Sequence, residues 1–252
     1  MDKFLLYPVG SSDSCQYAAT FLKQEGFPLT DHPSPEITHL LLDIPTFHEK
    51  GLLRNGTSPL ELLRMLPESV TVIGGNLKQD CLSGYRTIDL LQDPYYLAKN
   101  AAITAECALQ VAAPHMHATF ADSPALILGW GRIGKCLARL LRALGARVTV
   151  AARKETDRAM LQALMYQSCS IDRLCTQASQ FDLIFNTVPY PVLDTASCKE
   201  NAILLELASR PGIIGTGVTD ARGLPGKEAP LTSGALIGKT ILRITAGKEH
   251  TS

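Results

Sequence analysis

The stretch Ala125-Leu126-Ile127-Leu128-Gly129-Trp130-Gly131-Arg132-Ile133-Gly134 decides the architecture. Its four apolar residues end abruptly at Gly129, and glycines recur at 129, 131 and 134. An amphipathic stretch follows as far as Leu144. Its apolar positions Ile133, Leu137, Leu140, Leu141 and Leu144 belong to one helix face. The cations Arg132, Lys135, Arg139 and Arg142 fall three and four apart on another. Gly145 stands where a left-handed helix C-cap is expected, and a second apolar run, Val148 to Ala152, comes next. Strand, glycine turn, helix and strand in this order make the unit that binds dinucleotides. Within it Gly129 turns the chain tightly, Gly131 lets a pyrophosphate approach the backbone, and Gly134 lets the helix pack close to the sheet. Phosphates then meet free N–H groups and the positive end of the helix dipole. The expected cofactor contacts are Gly129, Trp130, Gly131, Arg132, Ile133 and Gly134.

The second strand of that unit runs into Ala151-Ala152-Arg153-Lys154. A domain specific for NAD usually carries Asp or Glu about 20 residues past the motif start, to hold the ribose 2′-hydroxyl. Here two alanines are followed by two cations. Arg153 and Lys154 suit a 2′-phosphate, which favours NADP with NAD as the alternative; the bland reading is a solvated basic loop. Asp157 to Gln167 has a helical pattern, Ser170-Ile171 is a weak third strand, and Asp182 to Thr187 and Ala202 to Leu207 are strands four and five. Ligands of open α/β sheets bind beyond the carboxyl ends of the strands. Thr187, Val188 and Pro189 therefore join the cofactor contacts, while Ser209 and Arg210 stand where nicotinamide and substrate would be. Residues 211 to 226 are rich in glycine and read as a loop, and Thr232 to Ile244 as a final helix.

Residues 1 to about 92 alternate strands and helices and imply a small α/β domain with a mostly parallel sheet. Its strands are Phe4 to Val9, Thr38 to Ile44, Val70 to Ile73 and, more briefly, Ile88 to Leu91. Asp13 is the expected cap of a helix from Ser14 to Glu25, with Gln16 in the capping-box position. Ser58-Pro59-Leu60-Glu61 opens another helix. Pro94 to Ala113 reads as a long alanine-rich helix ended by Pro114, suited to burial between two domains. Glu106 is its charged exception: it points either at solvent or into an interdomain cleft. The organisation expected is an N-terminal α/β domain over 1–93, an interdomain helix over 94–117, a Rossmann domain over 118–231, and a C-terminal helix and tail over 232–252.

Composition limits the alternatives. Of 252 residues, 46% are apolar and 19% charged, and the net charge is zero, as in an ordinary soluble globule. That balance argues against nucleic acid or an anionic membrane surface as the main partner. No apolar stretch reaches membrane-spanning length, and the N-terminal apolar run is too short for a signal peptide. The seven cysteines, at 15, 81, 107, 136, 169, 175 and 198, are scattered without a C-x-x-C pair. They read as reduced thiols of a cytoplasmic protein. His115-Met116-His117 offers two ligands and no third, so it reads as loop histidines and no metal site is expected.

Several of these blocks together resemble one family. Gly129-Trp130-Gly131-Arg132-Ile133-Gly134, Ala152-Arg153, Asn186-Thr187-Val188-Pro189, Leu207-Ala208-Ser209-Arg210-Pro211-Gly212 and Leu224-Pro225-Gly226-Lys227-Glu228-Ala229-Pro230 resemble, in order, the second domain of the dipicolinate synthase family, that of its A component. Asn100 with Thr104-Ala105-Glu106 is similar to the stretch before it. The resemblance covers about residues 95 to 245. Glu206 stands where an Asp is usual, Arg210 where a Lys is usual, and the segment between Gly212 and Gly223 is short for a helix plus sixth strand. The resemblance implies two α/β domains, as in D-2-hydroxyacid dehydrogenases, and an NAD(P)-dependent oxidoreductase of spore-forming bacteria. With a flavoprotein-like B component such an enzyme makes dipicolinate from the product of dihydrodipicolinate synthase, in the lysine branch.

On that reading the substrate is a cyclic dicarboxylate that loses water and a hydride to become aromatic. Arg210 and Lys227 are the candidates for its carboxylates, with Asn100 beside them. Glu106 is the candidate base, with Thr104 and Ser209 as hydrogen-bonding partners. For Lys227 the alternative is a loop anchor, and for Arg210 a surface charge. A homo-oligomer is expected. Two other functions stay open: a D-2-hydroxyacid dehydrogenase-like enzyme, whose catalytic His cannot be placed, and a non-catalytic NADP-binding component for assembly or sensing.

Overall fold

The computed structural model describes residues 4–48 and 51–246. They divide into two compact units, one built from the chain up to Asn100 together with the chain from Pro225 onward, the other from Ala101–Leu224. The first unit does not end at the long helix, as the sequence suggested. Its closing element is the C-terminal helix, and the last six residues of the expected tail lie outside the described residues.

Unit 1 opens with β1 (Leu6–Pro8), α1 (Asp13–Gln24), β2 (His39–Leu41), α2 (Pro59–Arg64), β3 (Thr71–Gly74) and β4 (Arg86–Asp89). The four strands form one parallel sheet in the order β1-β2-β3-β4. Leu40, Leu41, Val72 and Ile73 are fully or almost fully buried, as the apolar runs of a covered parallel sheet require. Leu62, Leu63 and Leu66, on and just after α2, pack into the same core.

The cap of α1 is Ser12, one residue earlier than expected, and the cause is Asp43 at the end of β2. Its carboxylate is 4% exposed. Oδ1 accepts from the Ser12 N–H at 2.9 Å and the Ser12 hydroxyl at 2.5 Å. Oδ2 accepts from the Ser11 N–H at 2.9 Å and the Ser11 hydroxyl at 3.2 Å. With its proton committed to Asp43, the Ser12 oxygen is left to accept from the Cys15 N–H, which is the capping bond. Ser58, in contrast, makes no side-chain cap bond although Pro59 does open α2.

The long helix, α3 (Pro94–Ala112), belongs to unit 1 up to Asn100 and to unit 2 from Ala101. Asp93 starts it by accepting from the Tyr96 N–H at 2.7 Å. Burial alone would raise the Asp93 carboxyl; the Tyr96 N–H and the Arg243 guanidinium outweigh it and hold the group below its usual range.

Unit 2 continues with β5 (Pro124–Leu128), α4 (Arg132–Ala143), β6 (Arg147–Ala151), α5 (Glu155–Ala163), β7 (Gln167–Cys169), β8 (Leu183–Asn186), β9 (Leu193–Asp194), β10 (Ile203–Glu206), β11 (Ile213–Ile214) and β12 (Val218–Asp220). Six strands form a parallel sheet in the order β12-β10-β8-β5-β6-β7. Renumbered from β5 this is the 3-2-1-4-5-6 order of a dinucleotide-binding sheet, and its switch point lies between β5 and β8. Leu126, Leu128, Ile184 and Leu204 bury one face against Leu174, Ala178 and Phe181. The expected helix from Asp157 to Gln167 starts two residues earlier and ends at Ala163, because Met165 takes a φ of 60° and turns the chain into β7.

The stretch read as a glycine-rich loop contains the sixth strand. Ile213–Ile214 pairs with Leu193–Asp194. Gly215 and Gly217 then take φ values of 122° and 76°, and Val218–Asp220 lies alongside β10 with no helix between. Short parallel crossovers are rare because a helix normally makes the return; here the β9–β11 pair and two left-handed glycines make it.

α6 (Leu224–Glu228) and α7 (Pro230–Ala246) return the chain to unit 1. α7 packs on α1 through Gly234 and Gly238. A methyl group at these positions would stand 2.5 Å from Tyr17 Cβ and 2.4 Å from Phe21 Cδ1. Among the described residues no helix is long and apolar enough to cross a membrane.

Two buried groups of unit 1 set a pH limit. Burial, with the Asp43 charge added to it, pushes the Cys15 thiol from 9.0 up to about 12. Burial pushes the Tyr96 phenol from 10.0 up to about 12. Both shifts are upward, so the unfolded chain loses these protons first as pH rises. The stability they represent is whole below the unfolded values and drains away as pH climbs toward 12. The unfolding free energy from urea melts is expected to fall above pH 9 at roughly 1 kcal/mol per pH unit for each ionising group. Cys15→Ala should shallow that slope at its lower end; an unchanged slope would exclude the thiol.

Candidate functional site

The three motif glycines have distinct surroundings. Gly129 ends β5 with a φ of 101°, and a Cβ there would meet Thr187 Oγ1 at 2.6 Å. A Cβ on Gly134 would stand 2.3 Å from the Gly129 carbonyl oxygen, so the first turn of α4 can lie this close to the end of β5 only without one. A Cβ on Gly131 would meet nothing within 4 Å. Its φ of −81° suits any residue, so neither strain nor packing demands glycine there. The space in front of it is open, as an approaching pyrophosphate requires. Gly131 occupies the N-cap position without a side-chain cap bond. The first N–H groups of α4 are thus available to an anion, and no acidic residue stands in that turn. These features fit a dinucleotide phosphate.

The indole of Trp130 is half-buried, 5.9 Å from the Tyr166 ring, with Lys135 Nζ 5.7 Å from its centre. Ile133 is half-buried and Arg132 exposed. Beyond β6, Ala152 is buried while Arg153 and Lys154 are exposed. Sequence reasoning passed over Arg158. From α5 its Nη1 donates to the Ala152 carbonyl at 2.9 Å and the Arg153 carbonyl at 2.7 Å, fixing the turn that carries the two cations. The Arg153 guanidinium lies 5.9 Å from the Tyr190 ring of the loop after β8.

At the ends of β8 and β10 the chain builds a second fixed turn. Thr187 Oγ1 donates to the Leu128 carbonyl at 2.7 Å, tying the end of β8 to the end of β5. Val188 is buried and Pro189 exposed. Asn186 donates to the Val188 carbonyl and accepts from the Val188 N–H. Its amide also donates to Glu206 Oε1 at 2.7 Å. Glu206 is 4% exposed, and Ser209 and Arg210 just beyond it are exposed. Asn186 and Glu206 went unassigned at the sequence level, although each is a polar residue closing an apolar strand. That is the signal that marks them.

The remaining expected residues are more scattered. Thr104 is 6% exposed and Glu106 is exposed. Two positions apart on a helix means nearly opposite faces, so these two side chains do not face each other as the partnership expected from the sequence needs. Glu106 acts on α4: burial raises the Cys136 thiol, Arg139 pulls it back, and the Glu106 carboxylate adds to the rise. Asn100 is half-buried, and Lys227 is exposed on α6. Asn100 and Lys227 belong to unit 1, Ser209 and Arg210 to unit 2. His115 and His117 are exposed, and among the described residues no three His, Cys, Asp or Glu side chains gather as a metal site would need.

Residues 100–204 match the model of the D-isomer specific 2-hydroxyacid dehydrogenase NAD binding domain. Most of unit 2 is thus similar to the NAD-binding domain of that dehydrogenase family. Over 158 residues the chain is 31% identical to the A component of dipicolinate synthase from Bacillus subtilis. Over that stretch the chain is similar to the dipicolinate synthase component. The match takes in 58% of this chain and 53% of that protein, so it spans about half the relative's length. The whole fold is shared more widely. The crystal structure of the corresponding dipicolinate synthase component from Bacillus halodurans superposes with a TM-score of 0.83 at 22% identity, covering 97% of this chain and 98% of that one. The crystal structure of its Bacillus subtilis counterpart gives 0.82 at 20% identity, covering 100% and 99%. At these identities the dipicolinate synthase structures speak to fold, and the two-domain α/β architecture read from the sequence agrees with them.

Proposed function

We propose that the chain is an NADP-dependent oxidoreductase that dehydrogenates a cyclic dicarboxylate, as the name of its dipicolinate synthase relatives suggests. The observation that carries this reading is the open approach to Gly131 at the uncapped start of α4, flanked by the cations at the end of β6. A bound nicotinamide in its oxidised form accepts a hydride, which is the chemistry the protein itself lacks. The chain's own residues then hold phosphates, orient the substrate and receive a proton. The α4 amides and Arg132 take the pyrophosphate. Arg153 and Lys154 take the 2′-phosphate, in a turn fixed by Arg158. Arg210, exposed beyond β10, takes one substrate carboxylate, with Ser209 beside it; Lys227 and Asn100 are the further substrate contacts. Glu106 is the proton acceptor. Self-association and a flavoprotein-like B component complete the assembly.

Thermal stabilisation tests the cofactor first, because a ligand that binds only the folded state raises its melting temperature. NADPH should stabilise more than NADH at equal concentration, and Arg153→Ala with Lys154→Ala should erase the difference while leaving NADH nearly unaffected. Equal stabilisation of the unaltered protein by both would overturn the NADP preference, and stronger stabilisation by NADH would assign the cofactor to NAD. For the substrate, Arg210→Ala should raise KM for the dicarboxylate roughly tenfold or more, as loss of a charge-assisted pair does. NADPH affinity should stay nearly intact. Equal loss of both would refute the carboxylate role.

A further inference from the structure

Glu206 is a buried carboxylate held without a cation. Among the described residues it makes no ion pair. Its two oxygens accept four hydrogen bonds instead: Oε1 from Asn186 Nδ2 at 2.7 Å and the Ala208 N–H at 3.0 Å, Oε2 from the Gly212 N–H at 2.8 Å and the Ile213 N–H at 3.2 Å. Three of these donors flank one short turn. Ala208 precedes Ser209 and Arg210, and Gly212 and Ile213 follow Pro211. The carboxylate therefore clasps the turn at both ends and leaves Ser209, Arg210 and Pro211 exposed. The fourth donor, Asn186, is bonded to both backbone polar groups of Val188, so the turn after β8 hangs from the same anion. The two turns are also in direct contact. A Cβ on Gly212 would stand 2.4 Å from Asn186 Nδ2 and 2.5 Å from the Val188 carbonyl oxygen.

We infer that Glu206 is a positioning residue, which through its clasp on Ala208, Gly212 and Asn186 sets the Arg210 guanidinium for a substrate carboxylate. The inference rests on Arg210 being the carboxylate-binding group proposed above. The chemistry singles out glutamate. An ionised carboxylate is acceptor-only and can take all four N–H groups. A glutamine would turn an NH₂ toward two of the donors. On this backbone an aspartate, usual here in the resembled family, would end one methylene short of them. An unpaired buried anion is costly unless hydrogen bonds carry it, and here those bonds all run to the two turns beside the proposed site.

The test is a double-substitution cycle on the full chain with two probes: NADPH, followed by the emission of Trp130, and pyridine-2,6-dicarboxylate, followed by competition against turnover and by calorimetry on the NADPH-bound protein. Glu206→Gln is expected to bind NADPH within about threefold of the parent while losing dicarboxylate affinity about tenfold or more. In an Arg210→Ala background the same change should cost almost nothing further, because the two residues act in series. A purely structural Glu206 would instead weaken both probes, or add its loss to that of Arg210→Ala; either result overturns the inference. If Arg210→Ala alone leaves dicarboxylate binding unchanged, the carboxylate reading itself fails, and the inference falls with it. If Arg210→Ala weakens binding and Glu206→Gln does not, only the inference falls. Glu206→Asp, which keeps the charge, and Asn186→Ala, which removes one donor of the four, run through the same cycle should Glu206→Gln not fold.

Discussion

Gly131→Val is expected to weaken NADPH binding by about two orders of magnitude and to lower the melting temperature by no more than about 2–4 °C, the cost of a poorer N-cap. The two halves of this outcome come from one observation. A Cβ at position 131 meets no protein atom within 4 Å, and the backbone there is extended and tolerant of side chains. No atom of the folded protein clashes with the valine, which costs only the poorer N-cap it makes; the large opposition would come from a ligand against that backbone. Gly134→Ala is the complementary case. Its methyl would stand 2.3 Å from the Gly129 carbonyl oxygen, a backbone atom that cannot swing aside. Helix α4 must lift off β5, at a cost of about 1–3 kcal/mol for overpacking, and the amides that face the phosphate move with it. Gly134→Ala should therefore lose binding and stability together, where Gly131→Val loses mainly binding. Thermal scans with and without NADPH read both quantities. A valine at 131 that binds NADPH as the parent does would place the nucleotide elsewhere and remove the basis for an oxidoreductase.

The glycine turn was legible because each of its features is local. Gly129, Gly134 and Gly145 answer constraints set within a few residues, and the apolar runs on either side have the length of covered strands. The six-stranded sheet was only partly legible. Val218–Asp220 is too short for a periodic signal, and it is held in register by β10. The glycines that make it reachable look, in sequence, like those of a loop. The placement of α7 was hidden for a similar reason. Gly234 and Gly238 suit close packing, but that Tyr17 and Phe21 are the partners depends on contacts more than 200 residues apart. At the candidate site the exposed residues Arg153, Lys154 and Arg210 were visible as charges out of keeping with their surroundings. The groups that hold them in place were not. Arg158 looked like an ordinary helix cation, and Glu206 like a variant strand residue, because a hydrogen bond to a backbone carbonyl or N–H leaves no complementary residue type in the sequence. Positioning by main-chain bonds is thus harder to read than pairing by charge. That asymmetry accounts for most of what the sequence withheld.

Asp43→Ala carries the largest stability effect expected in unit 1. The side chain is 4% exposed and takes four hydrogen bonds from Ser11 and Ser12. Removing it leaves two N–H groups and two hydroxyls in a part-buried turn, each needing a new acceptor. A buried donor without one costs about 1–3 kcal/mol, and water that enters the space left behind recovers part of the sum, so a net loss of about 3–4 kcal/mol is expected. The loss should be local in origin. The Ser12 hydroxyl that caps α1 is aligned by Asp43, and α1 is the helix on which α7 packs, so the carboxylate supports both ends of the chain within unit 1. Asp43→Asn retains the shape but replaces one acceptor oxygen by a donor that faces a donor, and should recover less than half of the loss. Cys15 supplies an independent readout. The Asp43 charge helps to hold its thiol high, so Asp43→Asn should bring that pKa down toward its ordinary value while burial keeps it raised. Denaturant melts give the stability, and the pH dependence of Cys15 alkylation gives the charge effect. An Asp43→Ala protein as stable as the parent would mean that the serine turn finds other acceptors, and that the clasp at the end of β2 is dispensable to the fold.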